Sequence, residues 1–180
     1  MKYFYLFVLS IFGLQSISAQ QWVAVTSSTP SKPVTTLESS DISQSVINLT
    51  LNGFWKTEVE TSRGNAWLIE LGNGVRNLQK GAPDLPYVST SLIIPDLAKM
   101  KVEVISSEYK EFSHVLIAPS KGNLYRDIDP STVPYTFGKN YDVNAWYPGK
   151  TAQLNSPYIV RDFRGEAIWM YPFQYNPAMP

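Results

Sequence analysis

The sequence of 180 residues contains no cysteine and a single histidine, His114. Without thiols the chain forms no disulfide bond, holds no thiolate metal site and has no cysteine nucleophile. Its 15 acidic and 15 basic side chains balance to a net charge of zero. No long-range field therefore draws it to nucleic acid or to an anionic membrane surface. These absences exclude thiol catalysis and make nucleic acid an unexpected partner.

The remaining residues with catalytic potential are few. His114 adjoins the apolar run at residues 115–117, and no glycine pattern presents a serine as a nucleophile elbow does. We interpret His114 as a histidine at a strand edge whose hydrogen-bonding groups have partners. Glu58 and Glu60 have the spacing of paired carboxylates around a sugar, but they lie on the strand face opposite Trp55. Outward, solvated charges are the simpler interpretation, and the sequence predicts no enzyme activity.

Metal and phosphate ligands are also sparse. Asp127 and Asp129, even with Asp84 or Asp96, supply fewer oxygens than a calcium loop requires. The glycine-rich turn at residues 72–74 is not followed by the Lys and Ser/Thr of a phosphate-binding loop. The sequence therefore predicts neither a metal nor a cofactor.

The first 19 residues have the pattern of a cleaved signal peptide. Lys2 supplies a positive charge, and residues 3–14 are apolar but shorter than the ~20 residues that span a bilayer. The polar stretch that follows ends at the small residue Ala19. We expect cleavage there and export of a domain over residues 20–180, secreted or carried through the periplasm to the cell surface, with no membrane attachment. The alternative is a buried N-terminal strand or helix.

Strand patterns dominate the exported part. Polar and apolar side chains alternate, or apolar runs lie between turn residues, in six segments. They are residues 46–52, 54–61, 66–71, 87–94, 101–105 and 115–118. Residues 158–161 and 167–171 are typical of a closing hairpin around residues 162–165.

Helical periodicity is missing, apart from one possible turn at residues 97–100. The 13 prolines and the 13% of aromatic residues fit strands, turns and an aromatic core. We predict an all-β fold, an antiparallel β-sandwich resembling a jelly roll, in one domain.

Two stretches lack strand patterns. Residues 26–45 are rich in Ser, Thr and Pro and are predicted to be a loosely packed loop. Residues 119–157 form a long irregular region, which in a compact domain indicates function. Within it, Lys121 and Arg126 lie on a proline-bounded loop where a cation can enter an acidic pocket of another molecule. The alternatives for Arg126 are simple solvation or an internal pair with Asp127 or Asp129.

Seven short motifs together resemble the propeptide of gingipain-type cysteine peptidases. They cover the chain from about residue 80 to its end, in a consistent order, whereas the N-terminal part matches more loosely. The motifs are KGAPDLP at 80–86, APSKG at 118–122, RDIDP at 126–130, PYTFG at 134–138, YPG at 147–149, RDFRG at 161–165 and PFQYNP at 172–177.

The resemblance implies a noncatalytic β-sandwich prodomain that precedes a caspase-like peptidase domain. Such prodomains assist folding and block the active-site cleft until proteolysis removes them, and a basic side chain on one loop fills the acidic specificity pocket. The matching position is Arg126, flanked by Tyr125 and Asp127, with Lys121 as the second candidate. The implied partner is a cysteine peptidase domain, in cis in a longer precursor or in trans.

The family continues beyond the motif at 172–177 with another strand and then the peptidase. We therefore expect residues 20–180 to be a propeptide domain truncated at its C-terminus, although a prodomain standing alone is the alternative. A rival function is a cell-surface adhesion or carbohydrate-binding sandwich. Its sugar-stacking platform would consist of Trp55, Trp67, Trp146, Tyr147, Trp169 and Tyr171.

Overall fold

The computed structural model describes residues 19–179, so the predicted signal peptide lies almost entirely outside the described residues. The described part contains nine strands: β1 Gln21–Ala24, β2 Val34–Ser40, β3 Ser45–Thr50, β4 Gly53–Thr61, β5 Gly64–Glu70, β6 Val88–Ile93, β7 Ala152–Leu154, β8 Tyr158–Val160 and β9 Phe163–Met170. Two short 3-10 helices occupy Pro130–Thr132 and Lys139–Tyr141. Between residues 19 and 179 no helix has the length and apolar character needed to cross a membrane.

Every strand pair in the three sheets is antiparallel. The first sheet has the order β1-β4-β5, and β2 and β3 form a separate hairpin. The third sheet has the order β6-β9-β7, and the short β8 pairs with the beginning of β9. This arrangement confirms the predicted all-β, sandwich-like class.

One hydrophobic core joins the sheets. Phe54 of β4 and Ile69 of β5 contribute from the first sheet, and Ile168 and Met170 of β9 contribute from the third. Phe54, which is 2% exposed, contacts Phe173 edge to face with ring centroids 5.2 Å apart. Burying a side chain of this size stabilises the fold by about 1.5–3 kcal/mol. Burial alternates along β9 from Glu166 to Met170, because successive side chains of a strand point to opposite faces of the sheet.

Most strand predictions are confirmed. Strands β3, β4, β5 and β6 lie where alternation predicts them. The closing hairpin is also present, with β9 beginning at Phe163 and a tighter turn at Arg161 and Asp162 than predicted. Apolar residues of β3, β4, β5, β6 and β9 reach the core, whereas those of β8 are exposed.

Three local predictions are wrong. Residues 26–45 are not all loop, because β2 pairs with β3; almost all β2 side chains are exposed, so the strand carries no apolar pattern. Residues 101–105 alternate but form no strand, since no neighbouring strand of the described chain pairs with them. Residues 115–118 make a single parallel bridge, between Trp67 and Ile117, instead of a strand.

Candidate functional site

The loop that carries Lys121 and Arg126 rests on a buried stem, which we define as residues 81–86 and 117–120. The two segments run antiparallel, and all of their residues are buried. The Ser120 N–H donates to the Ala82 carbonyl at 2.7 Å, and the Ser120 carbonyl accepts from the Gly81 N–H at 2.9 Å. Because buried backbone groups paired in this way are costly to separate, the stem fixes the point where the loop leaves the core.

The stem is continuous with the first sheet. The Trp67 N–H donates to the Leu116 carbonyl at 2.7 Å, and the Ala118 N–H donates to the Trp67 carbonyl at 2.8 Å. The buried Tyr141 hydroxyl donates to the Ile117 carbonyl at 2.8 Å. Burial raises the pKa of the Tyr141 phenol, so this donor stays protonated. The loop therefore projects from a rigid part of the molecule.

A polar cluster under the loop completes the stem. The buried Asp84 carboxylate accepts from the Arg76 guanidinium. Burial raises the pKa of Asp84, and the hydrogen bond and charge of Arg76 offset part of that rise. The Asn77 amide donates to the Tyr147 hydroxyl at 2.7 Å, while the Ser120 hydroxyl donates to the Asn77 carbonyl. Asp84 is thus part of the stem, with its carboxylate paired to Arg76.

The apex of the loop is a β-turn. The Ile128 N–H donates to the Tyr125 carbonyl at 3.1 Å, which places Arg126 and Asp127 at the two corner positions. All four residues are exposed, and Tyr125 is 81% exposed. Within residues 19–179 the Arg126 side chain makes neither a hydrogen bond nor an ion pair. The structure thus presents an unpaired cation at the end of the loop.

The internal pair considered for Arg126 does not form. Asp127 is exposed beside it, and Asp129 instead accepts from the Ser131 N–H at 2.9 Å, capping the short helix that follows. That hydrogen bonding lowers the pKa of the Asp129 carboxyl. Both carboxylates therefore leave the Arg126 guanidinium available.

Lys121, the other candidate cation, is engaged with its own domain. Its Nζ donates to the Pro130 carbonyl at 2.7 Å and lies 4.1 Å from the centroid of the Tyr135 ring. Partial burial and the positive charge of Arg76 lower the pKa of the Lys121 amine, and Asp129 offsets part of this effect. The two cations, five positions apart, thus have opposite environments. Whether either enters a pocket stays a prediction.

The other candidate residues form no site. His114 is exposed and lies outside every strand, with a φ of 59°, so the strand-edge interpretation is wrong. Glu58 and Glu60 point to solvent as expected. In residues 19–179 no three His, Cys, Asp or Glu side chains cluster closely enough to hold a metal ion.

The aromatic residues do not form a sugar-stacking platform. Of the six rings considered, Trp146 is exposed, at 53%, and the other five are partly buried. Trp67 packs against the core, and Trp169 stacks on Tyr87 with centroids 4.7 Å apart. A platform needs several rings exposed side by side, so this arrangement disfavours the carbohydrate-binding alternative.

Comparison with known proteins shows several close sequence relatives. The family model Propeptide_C25 matches residues 24–180. Gingipain R1 of Porphyromonas gingivalis is 43% identical over 142 residues, which are 79% of this chain and 14% of the relative. Gingipain R2 of the same species is 36% identical over 171 residues, which are 95% of this chain and 23% of the relative. The chain thus spans less than a quarter of the length of these curated relatives.

Two solved structures share the fold. The complex of Porphyromonas gingivalis RgpB pro- and mature domains matches with a TM-score of 0.77 and 40% identity, covering 80% of this chain and 75% of that chain. A structure on the zymogenic latency of gingipain K from the same species matches with a TM-score of 0.70 over 88% of this chain and 89% of that chain. Because the two sequences are 20% identical, this match supports the fold alone. The chain therefore belongs to the Propeptide_C25 family and is a gingipain-type propeptide.

Proposed function

We propose that this propeptide binds a gingipain-type cysteine peptidase domain, assists its folding and holds it latent by blocking its active-site cleft. The relatives are named as gingipains, and one structural neighbour is described as a complex of pro- and mature domains. The observation that carries the proposal is the position of Arg126 at the exposed corner of a turn, unpaired within residues 19–179. The partner domain is joined in cis in a longer precursor or bound in trans.

The Arg126 guanidinium enters the acidic specificity pocket of the peptidase. Its planar fork of donors pairs with a carboxylate through two parallel hydrogen bonds, which a lysine amine does not reproduce. Tyr125 buries a large aromatic surface against the rim of the cleft. Asp127 lies on the leaving-group side of the Arg126–Asp127 peptide bond. The rigid stem limits the conformational freedom that the loop loses on binding, which strengthens the complex.

An inhibition assay in trans tests this proposal. The chain is added to an activated arginine-specific peptidase of the gingipain type, and hydrolysis of a small arginyl substrate is followed. The wild-type chain is expected to inhibit at micromolar concentration or below. Removing one partner of a buried charge pair costs about 2–5 kcal/mol. Arg126→Ala is therefore expected to raise the inhibition constant about 30-fold or more.

Arg161→Ala is the matched control. Arg161 is also an exposed arginine in a tight turn, between β8 and β9, with no hydrogen bond or ion pair in the described part of the chain. Its replacement is expected to leave the inhibition constant unchanged. Equal inhibition by wild-type and Arg126→Ala chains would rule out the loop mechanism.

We also propose that residues 1–19 direct export and are removed. The positive residue Lys2, the short apolar run at residues 3–14 and the small residue Ala19 support a cleaved signal peptide. The propeptide would then act in the periplasm or at the cell surface, or be secreted. N-terminal sequencing of the exported protein is expected to begin at Gln20, and retention of Met1 would contradict this.

A further inference from the structure

The loop has an outgoing arm, residues 121–124, and a returning arm, residues 129–138, on either side of the apex turn. Contacts of Lys121 hold the two arms together at the neck of the loop, where residue 121 lies beside residue 130. Lys121 follows the buried Ser120 directly, and its Nζ reaches across to the returning arm of the loop. There it donates to the Pro130 carbonyl at 2.7 Å and lies 4.1 Å from the Tyr135 ring centroid. We call these three residues the clasp. The attraction of the cation to the face of the aromatic ring adds to the hydrogen bond.

Both ends of the clasp are anchored to the fold. Ser120 belongs to the stem, whose backbone pairing holds the outgoing arm. On the returning arm, Asp129 caps the short helix Pro130–Thr132. Farther along, the Gly138 N–H donates to the Gly81 carbonyl of the stem at 2.9 Å. The clasp therefore links two fixed arms and closes a ring of about ten residues around the apex.

The apex itself has little internal support. Between residues 123 and 128, the Ile128 to Tyr125 hydrogen bond is the single one in the structure. The shape of the turn that presents Arg126 thus depends on how closely the neck holds its two ends. Opening the neck gives those residues the freedom of an unconstrained surface loop.

We propose that Lys121 is a positioning residue whose clasp holds the loop in its inhibitory turn and keeps the peptidase from cleaving it after Arg126. This inference rests on the proposed function of Arg126. It assigns to Lys121 a role different from filling the specificity pocket, because its amine already has two partners in the domain.

The chemistry of cleavage shows what the clasp opposes. The peptidase thiolate attacks the Arg126 carbonyl carbon, the bond to Asp127 breaks, and the Asp127 nitrogen takes a proton from the general acid of the peptidase and leaves as an amine. Water then gives one proton back to that group and attacks the acyl-enzyme; the thiolate is restored, and Arg126 is released as a carboxylate with its second proton lost to solvent. Attack requires the reacting atoms to lie about 3–3.5 Å apart and aligned. A closed neck restricts the approach to that geometry and keeps the new Asp127 amine beside the acyl group, where it re-forms the bond.

The test compares four variants of the whole chain with the same activated arginine-specific peptidase. Lys121→Met keeps the aliphatic stem but removes the charge and the donor, and Lys121→Arg retains both. Arg126→Ala tests the pocket contact separately. The inhibition constant, the rate of cleavage between Arg126 and Asp127 by mass spectrometry, and the thermal midpoint of the free chain are measured for each.

Lys121→Met is expected to be cleaved at least tenfold faster than wild type, with its thermal midpoint nearly unchanged, and Lys121→Arg is expected to behave as wild type. Tyr135→Leu, which removes the ring alone, is expected to increase cleavage by a smaller factor and provides a second test if Lys121→Met does not fold. An unchanged cleavage rate in a folded Lys121→Met chain would overturn the clasp. So would loss of its inhibition without faster cleavage, since the contacts of Lys121 would then serve binding alone and not resistance to cleavage. Unimpaired inhibition by Arg126→Ala would instead refute the proposed function.

Discussion

The Arg76 guanidinium lies 2.5 Å from the carboxylate of Asp84, one of the residues of the stem. The Asp84 side chain is 4% exposed, whereas the Arg76 side chain is 56% exposed, so a surface cation neutralises a buried anion. The backbone N–H of Asp84 also donates to the Ala118 carbonyl at 2.9 Å. The carboxylate is thus built into the stem, and its pairing bears on how firmly the loop is held.

Removing the cation is expected to destabilise the domain. In the Arg76→Met variant Asp84 stays buried without a countercharge. Removing one member of an ion pair in which both members are buried costs about 3–5 kcal/mol of stability. Because Arg76 is half exposed and water reaches the vacated site, we expect a loss of about 1–3 kcal/mol in the free energy of unfolding. Urea unfolding measures it. Arg161→Met, at an exposed arginine without partners in residues 19–179, is the control and should change stability by less than about 0.5 kcal/mol. Similar losses in both variants would contradict a role for the pair.

Asp84 is also expected to shape the dependence of stability on pH. Burial raises the pKa of Asp84 above its ordinary value of 3.8. Between that value and the higher pKa in the folded state, the folded chain binds more protons than the unfolded chain, so this group's contribution to stability grows as pH falls. The Asp84→Asn variant lacks this contribution. Its stability relative to wild type should therefore decrease as pH is lowered from neutrality towards 4.

Urea unfolding of both chains at a series of pH values measures this difference. Carboxyls whose pKa is lowered, such as Asp129, act in the opposite sense but are common to both chains and cancel. A relative stability of Asp84→Asn that rises on acidification would show that the pairing with Arg76 outweighs burial.

The close approach of Gly138 to Gly81 gives a third prediction. A Cβ atom on Gly138 would lie 2.9 Å from the Gly81 carbonyl oxygen, and φ at Gly138 is −97°, so alanine meets a steric obstacle and no backbone strain. Gly138→Ala is expected to cost about 1–3 kcal/mol, as overpacking of a tight contact does. Thermal or urea unfolding measures the loss. Thr136→Ala, at an exposed position on the same arm, should be nearly neutral. A stable Gly138→Ala chain would mean that the two arms separate easily.

Much of the fold was predictable because it follows from local patterns. Strands β3 and β6 carry apolar side chains at every second position, and that period puts one face of each on the core, through Ile47 and Leu49 and through Val88 and Leu92. Strand β2 was not predictable, since its stability comes from backbone pairing with β3 and not from burial of its own side chains. The strand predicted at residues 101–105 is absent for the opposite reason. Alternation is present there, but a strand needs a neighbouring strand to pair with, and the described chain supplies none.

The sequence by itself determined that this chain has no thiol, a single histidine and a strand-rich domain, because composition and period-two alternation are local properties. The motifs also identified the family, and they placed Arg126 ahead of Lys121 as the candidate cation without showing how their surroundings differ. The tertiary structure alone distinguished the surroundings of these two cations. Lys121 meets Pro130 and Tyr135 only after the stem and the Gly81–Gly138 contact bring the loop arms together, while Arg126 is carried on the turn beyond them. Whether a basic side chain is engaged or free depends on such long-range contacts.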